Sequence, residues 1–185
     1  KKMSLNKNFL SLDKFIHQAL YNPKTGFYMK KNPFGDKGDF ITSPLISVLF
    51  SEMLSVWTVA FWQNLKCPKN INLIELGAGN GQMMYDMLNS FKSFPEFNKS
   101  CKFYIFETSP HLKKIQKERL KGFNVIWIKN LNEIKKNYNI FIANEFFDAL
   151  PIKQFIKKNN QWYERSVKFS KLNQPEFIDV LINIK

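Results

Sequence analysis

The apolar positions of the chain follow two rhythms, one helical and one strand-like. Leu12, Phe15, Ile16, Ala19 and Leu20 recur at helical spacing and predict an amphipathic helix. Ser11 or Asp13 would cap it, and Asn22-Pro23 would stop it. From Pro44 to Leu65 apolar residues occupy much of the helical circumference. Ser43-Pro44 supplies an N-cap and first-turn proline, so one long helix, covered on several sides, is expected there. Asn72 to Leu76 is a short apolar run of strand length. Met84, Met87, Leu88 and Phe91 then mark a helix face. Pro95 to Ser100 reads as a linker, Lys102 to Phe106 as a second strand, and Ser109-Pro110 as the start of a helix that Gly122 ends. Val125 to Ile128 and Ile140 to Ala143 complete four strands, with a short helix expected within 131–137. Ile152 to Ile156 and Trp162 to Phe169, joined through Asn159-Asn160, form a hairpin candidate. Alternating strands and helices imply an α/β protein with a parallel sheet. Residues 1–70 read as a helical and loop extension packing on the core, and 71–185 as the main domain.

Between the first strand and its helix stands Glu75-Leu-Gly-Ala-Gly-Asn-Gly81. The three alternate glycines let the backbone take positive φ and approach a ligand closely. The helix that follows adds unpaired N–H groups and the positive end of its dipole. A dinucleotide site wants G-x-G-x-x-G, but Gln82 stands where the third glycine would be. It also wants an acid about 20 residues on, whereas Glu107 comes later, at the end of the second strand. An acid before the loop and G-x-G-x-G spacing suit S-adenosylmethionine, which has no pyrophosphate to cradle. A glycine-rich turn with no ligand is the plain alternative, and Glu107 weighs against it. Ligands of open α/β sheets bind beyond the carboxyl ends of the strands. The loops at Gly77–Gly81, Glu107 and Asn144–Asp148 therefore converge. Glu75, Glu107, Glu145 and Asp148 give that end an acidic character, suited to a cationic cofactor and a cationic acceptor.

The 185 residues are 44% hydrophobic and 16% aromatic, which excludes a disordered tail and allows one real core. The net charge of +13 raises nucleic acid or an anionic membrane as partners. The lysines are spread along the chain rather than gathered in a stripe, so a solvated basic surface is the blander account. In the Pro44–Leu65 stretch Glu52 would cost roughly 2.5–3.5 kcal/mol at the centre of a membrane span. With Ser47, Ser51, Ser55 and Thr58 beside it, a buried helix is expected. Cys67 and Cys101 form no C-x-x-C pair, which suggests neither zinc nor redox chemistry but a reducing compartment. No signal-peptide pattern occupies the first 30 residues, so the cytoplasm, or the mitochondrial matrix in a eukaryote, is expected.

Glu75–Gly81 resembles motif I of class I S-adenosylmethionine-dependent methyltransferases. With Gly38-Asp-Phe-Ile-Thr-Ser-Pro44, Glu107-Thr-Ser-Pro110 and Asn144-Glu-Phe-Phe-Asp-Ala-Leu-Pro151, the chain resembles the MidA family from about Leu10 to Val167. The resemblance implies a Rossmann-like fold and methyl transfer to a protein arginine, in the mitochondrial branch linked to assembly of respiratory complex I. It implies that Gly77, Gly79 and Gly81, behind Glu75, line the methionine part of the cofactor and that Glu107 takes the ribose. Asn144 and Glu145 would face the methyl group and the acceptor, and Gly38, Asp39 and Phe40 would fold over the pocket. Leu45, Ala78 and Asn80 depart from the family pattern, which has an acid, a proline and an arginine there. Family members continue well past this chain, so the seven-stranded sheet is expected to be incomplete.

Two other functions compete with protein methylation. A nucleic-acid methyltransferase would use the basic charge and Phe146-Phe147 as an aromatic clamp for a flipped base. A non-catalytic remnant would only bind the cofactor or a partner.

Overall fold

The computed structural model describes residues 9–30, 43–170 and 174–182. The expected lid residues Gly38, Asp39 and Phe40 lie outside them. The chain groups into two compact units, residues 1–27 with 149–185 and residues 28–148, and the short helix α2 (Phe27–Lys30) lies where the first passes into the second along the chain.

The first unit is an antiparallel sheet with one helix. β1 (Phe9–Ser11) leads into α1 (Leu12–Tyr21). The strands β6 (Phe155–Lys158), β7 (Gln161–Phe169) and β8 (Pro175–Ile182) complete it. β7 is central and pairs with β1, β6 and β8. The β6–β7 hairpin is the expected one. Asn159 and Asn160 both take positive φ, 47° and 61°, as a two-residue turn matched to strand twist requires. α1 packs on β7, with Phe15 against Phe169 and Val167 buried beneath. β8 was not foreseen. Its Asp179 holds Lys158 at 2.6 Å and Arg165 at 3.5 Å, tying β8 to both hairpin strands.

The second unit is a parallel sheet of β2 (Ile71–Leu76), β3 (Cys101–Phe106), β4 (Val125–Ile128) and β5 (Tyr138–Ile142), in the order β4-β3-β2-β5. This is the Rossmann-like arrangement the sequence implies. β2 is buried along its whole length, as a central parallel strand must be. Its one amide, Asn72, donates through Nδ2 to Asn139 Oδ1 (2.8 Å) on β5 and to Lys135 O (3.2 Å). On one face Phe91, Phe97 and Phe103 stack with Met84, Met87 and Trp62 over Ile71, Leu73 and Ile105. Those side chains come from α5 (Gln82–Ser90), α6 (Pro95–Ser100) and their neighbours. α6 occupies the stretch read as a linker: Pro95 sits in its first turn, where a missing N–H costs nothing. The helix expected within 131–137 is a single tight turn, Leu131–Glu133. α7 (Pro110–Arg119) begins where expected, and Ser109 Oγ accepts from Leu112 N.

The long helix expected from Ser43 is two. α3 (Ser43–Ile46) ends at Ser47, which turns extended and caps α4 (Val48–Asn64) by accepting from Leu49 N. Nor is α4 covered on several sides. It buries Ser51, Ser55, Thr58, Val59 and Trp62 and packs on α5, while Met53, Val56 and Trp57 are about half exposed. Small side chains allow the close approach. The hydroxyls of Ser55 and Thr58 donate back to Ser51 O and Leu54 O, whereas the buried Ser51 Oγ has no partner among the described residues. Among the described residues no helix is long and apolar enough to cross a membrane.

Candidate active site

The site lies within the second unit, beyond the carboxyl ends of β2, β3 and β5. Gly77 continues the ladder by donating to Phe106 O (3.0 Å), and Gly81 closes a turn on Ala78 O (2.7 Å). All three loop glycines have positive φ: 69° at Gly77, 53° at Gly79 and 82° at Gly81. Gly77 has a second reason to lack a side chain. A Cβ there would stand 2.6 Å from Cδ2 of Phe146, from the loop after β5. Gly81 stands at the N-cap of α5, where Asn80 Oδ1 accepts from Gln82 N.

A concavity formed by Pro44, Glu75, the loop from Gly77 to Asn80, Gln82, Met83, Asn144 and Glu145 joins the glycine loop to the loop after β5. It brings the predicted Glu75, Gly77, Gly79, Asn144 and Glu145 together. Glu75 is only 4% exposed, and its Oε2 has no hydrogen-bond partner among the described residues. Burial first, and the charge of Glu107 second, push its carboxyl up to about 8. Burial also raises Glu107, but hydrogen bonds from the Ser109 backbone, the Gln116 side chain and the Thr108 backbone oppose the rise. Ser109 N bonds its Oε1 at 2.8 Å and Gln116 Nε2 its Oε2 at 2.9 Å.

Gln116 is the functional residue that sequence reasoning missed. It is fully buried on α7. Its Nε2 also donates to Gly79 O (2.9 Å), and its Oε1 accepts from Trp127 Nε1 (2.9 Å) on β4. One amide thus links the glycine loop, Glu107 after β3 and the sheet edge. The signal for it was a polar residue one turn after Leu112, on the apolar stripe of that helix. Ser109 is also buried, and its hydroxyl donates to Tyr28 O (2.7 Å). The Tyr28 phenol is raised by burial and then by the charges of Asp148 and Glu145, which places it beside the loop after β5.

That loop is built differently. Glu145 is exposed and adopts φ 48°, uncommon for a residue with a side chain. Asn144 is half-buried, Asp148 is exposed, and Phe146 turns inward, edge-on to Phe106. The described lining carries no lysine, arginine or histidine. No cluster of potential metal ligands exists among the described residues. A cradle of alternate glycines, a buried carboxyl oxygen without a partner among the described residues and an acidic rim fit a cofactor that carries a sulfonium and an ammonium.

Comparison with known proteins agrees. Residues 53–184 match the sequence profile of a family described as S-adenosyl-L-methionine-dependent methyltransferase. The protein arginine methyltransferase NDUFAF7, mitochondrial, of Xenopus tropicalis is 33% identical over 179 residues, covering 84% of this chain and 42% of the relative. The human protein of that name is 31% identical over 179 residues, covering 84% and 41%. A protein from Burkholderia thailandensis, solved bound to S-adenosyl-homocysteine, superposes with a TM-score of 0.78 at 26% identity. That match covers 96% of this chain and 47% of the other. The chain therefore spans less than half the length of these relatives. S-adenosylmethionine is the cofactor of the matched family, and the chain belongs to that family of S-adenosyl-L-methionine-dependent methyltransferases.

Proposed function

We propose that the chain carries the cofactor-binding part of an S-adenosylmethionine-dependent protein arginine methyltransferase. The observation that carries this reading is the loop with positive-φ glycines at 77, 79 and 81 beside the buried Glu75 oxygen that has no partner among the described residues. When bound, the cofactor supplies an electrophilic methyl group. Gly77, Gly79 and Gly81 would hold its methionine portion, and Glu107 its ribose, using the acceptor capacity left by Ser109 and Gln116. Asn144 and Glu145 would face the acceptor. A guanidinium is planar and cationic, so a carboxylate such as Glu145 can hold it by two parallel hydrogen bonds and fix the nitrogen's direction. Alignment of that kind accounts for much of the rate of a displacement.

The acidic rim disfavours a polyanionic acceptor. The basic cleft of this unit, with Lys92, Lys102, Lys121 and Lys135, includes Cys101 at the amino end of β3, away from the cofactor loops. The named relatives are mitochondrial. A mitochondrial matrix acceptor, a respiratory complex I subunit among the candidates, is the finer reading for a eukaryotic chain. The test is transfer of radiolabelled methyl groups into an arginine-containing protein, with an arginine-to-lysine acceptor and an RNA as controls. Label in the RNA, or in the lysine acceptor, would overturn the assignment.

A further inference from the structure

The two buried carboxyls of the site are not equivalent. Glu107 has a donor on each oxygen, Ser109 N and Gln116 Nε2, and both favour its ionised form. Glu75 is the last residue but one of β2, the most buried strand of the sheet, and no donor among the described residues reaches its Oε2. Among the described residues the charged groups that line or adjoin its pocket are acids. Glu107 comes from the end of β3, and Glu145, from the loop after β5, lines the same pocket. Asp86 on α5 bonds the pocket residue Gln82 through Oδ1 and leaves Oδ2 unpartnered. No described cation lines the pocket to compensate a second buried negative charge. A proton shared by such a pair settles on the carboxyl without donors.

We propose that Glu75 is neutral in the ligand-free pocket and is ionised when the α-ammonium group of the cofactor's amino-acid end is bound beside it, so that loading releases a proton and selects nucleosides that carry this ammonium over those that lack it. This rests on the cofactor assignment above. The balance is simple: the carboxyl O–H breaks, the proton leaves to buffer, and the carboxylate left behind faces a ligand cation. An ionised Glu75 meeting a cation gains in Coulomb attraction what burial had denied it. An uncharged nucleoside offers no such gain, so Glu75 stays neutral and its desolvated site adds nothing to the affinity.

The test is calorimetry of the whole chain in two buffers of different ionisation enthalpy at pH 7. S-adenosylmethionine and S-adenosyl-homocysteine should each release close to one proton, and methylthioadenosine none. Between pH 6 and 7.5, where the ligand's α-amino group is still largely charged, affinity for S-adenosylmethionine should rise about tenfold or more. Glu75→Gln should remain folded, bind more weakly and show neither proton release nor pH dependence. Loading without proton release, or release retained in Glu75→Gln but lost in Glu107→Gln, would overturn the proposal. If no cofactor binds at all, the cofactor assignment fails with it. A carboxyl 13C NMR titration of the ligand-free chain stands apart from both. A glutamate midpoint far above the ordinary range, lost in Glu75→Gln, is expected, and an ordinary midpoint would refute the proposal.

Discussion

The loop after β2 and the loop after β5 meet at one pocket but are held in opposite ways. The first is fixed by backbone: three positive-φ glycines, a turn bond, a ladder bond to β3 and the Gln116 amide on Gly79 O. The second exposes Glu145, Phe147 and Asp148, and it bends through a strained residue instead of a glycine. A ligand whose shape never varies can be met by a backbone cradle. An acceptor presented by another protein needs reaching side chains, and strain that persists at such a position is commonly linked to function.

The sharpest way to break this comparison is at the point where the loops touch. Gly77→Ala adds a Cβ 2.6 Å from the Phe146 ring at a φ of 69°. Left-handed strain of about 1–2 kcal/mol and overpacking of about 1–3 kcal/mol should together lower stability by roughly 2–5 kcal/mol. The double variant Gly77→Ala/Phe146→Ala should regain only the packing part. Equal chemical-denaturation midpoints for the single and double variants would show that the two loops are not coupled through the ring.

The next largest effect is on the pH dependence of stability. Glu75 holds its proton to about 8 when folded, whereas the unfolded chain gives up such a proton near 4.3. The folded state therefore binds more protons across that window, and stability should fall as pH rises from about 5 to 8. The loss expected is on the order of 3 kcal/mol. Melting of the ligand-free chain and of Glu75→Gln checks it. The variant should lose most of the slope, and an unchanged slope would move its origin elsewhere.

Much of the cofactor side was legible in the sequence because its rules are local. Glycines at alternate positions, an apolar run of strand length and a Ser-Pro helix start identify Gly77–Gly81, β2 and α7 without any tertiary knowledge. What escaped depends on packing. Apolar residues around most of α4 predict a helix covered on several sides, yet its buried side is the one that carries the small Ser51, Ser55 and Thr58. The amide of Gln116 has meaning only when α7, β4 and the glycine loop are already assembled around it. β8 has alternating Ile178, Val180 and Ile182, but its stability comes from pairing with β7 and from Asp179.

Two smaller effects sharpen the contrast. Glu107→Ala removes a carboxylate expected to hold the ribose and should weaken cofactor binding about tenfold, or 1.4 kcal/mol, with Glu107→Gln costing less. Calorimetry decides it, and parent-like binding by both variants would place the ribose elsewhere. Glu145→Gly, by contrast, relieves a left-handed side chain. It should leave cofactor affinity unchanged and stability within about 1 kcal/mol of the parent, with a gain if strain outweighs glycine's extra unfolded-state entropy. Methyl transfer should nevertheless collapse. Retained turnover would show that this acid serves neither acceptor nor alignment.

The Asn72–Asn139 pair has a consequence for how the pocket comes into being. Between two apolar parallel strands, hydrophobic contact alone distinguishes poorly among pairings shifted by two residues, since each keeps the same face inward. A buried amide tolerates no such shift, because moving β5 by about 6–7 Å would strand Asn72 without a partner in the core. The pair works as a keyway: β5 can dock on β2 at one setting only. That setting delivers Asn144 and Glu145 to the height of Glu75 and the glycine loop, so a contact near the far end of the strands sets the alignment of the chemistry at this one.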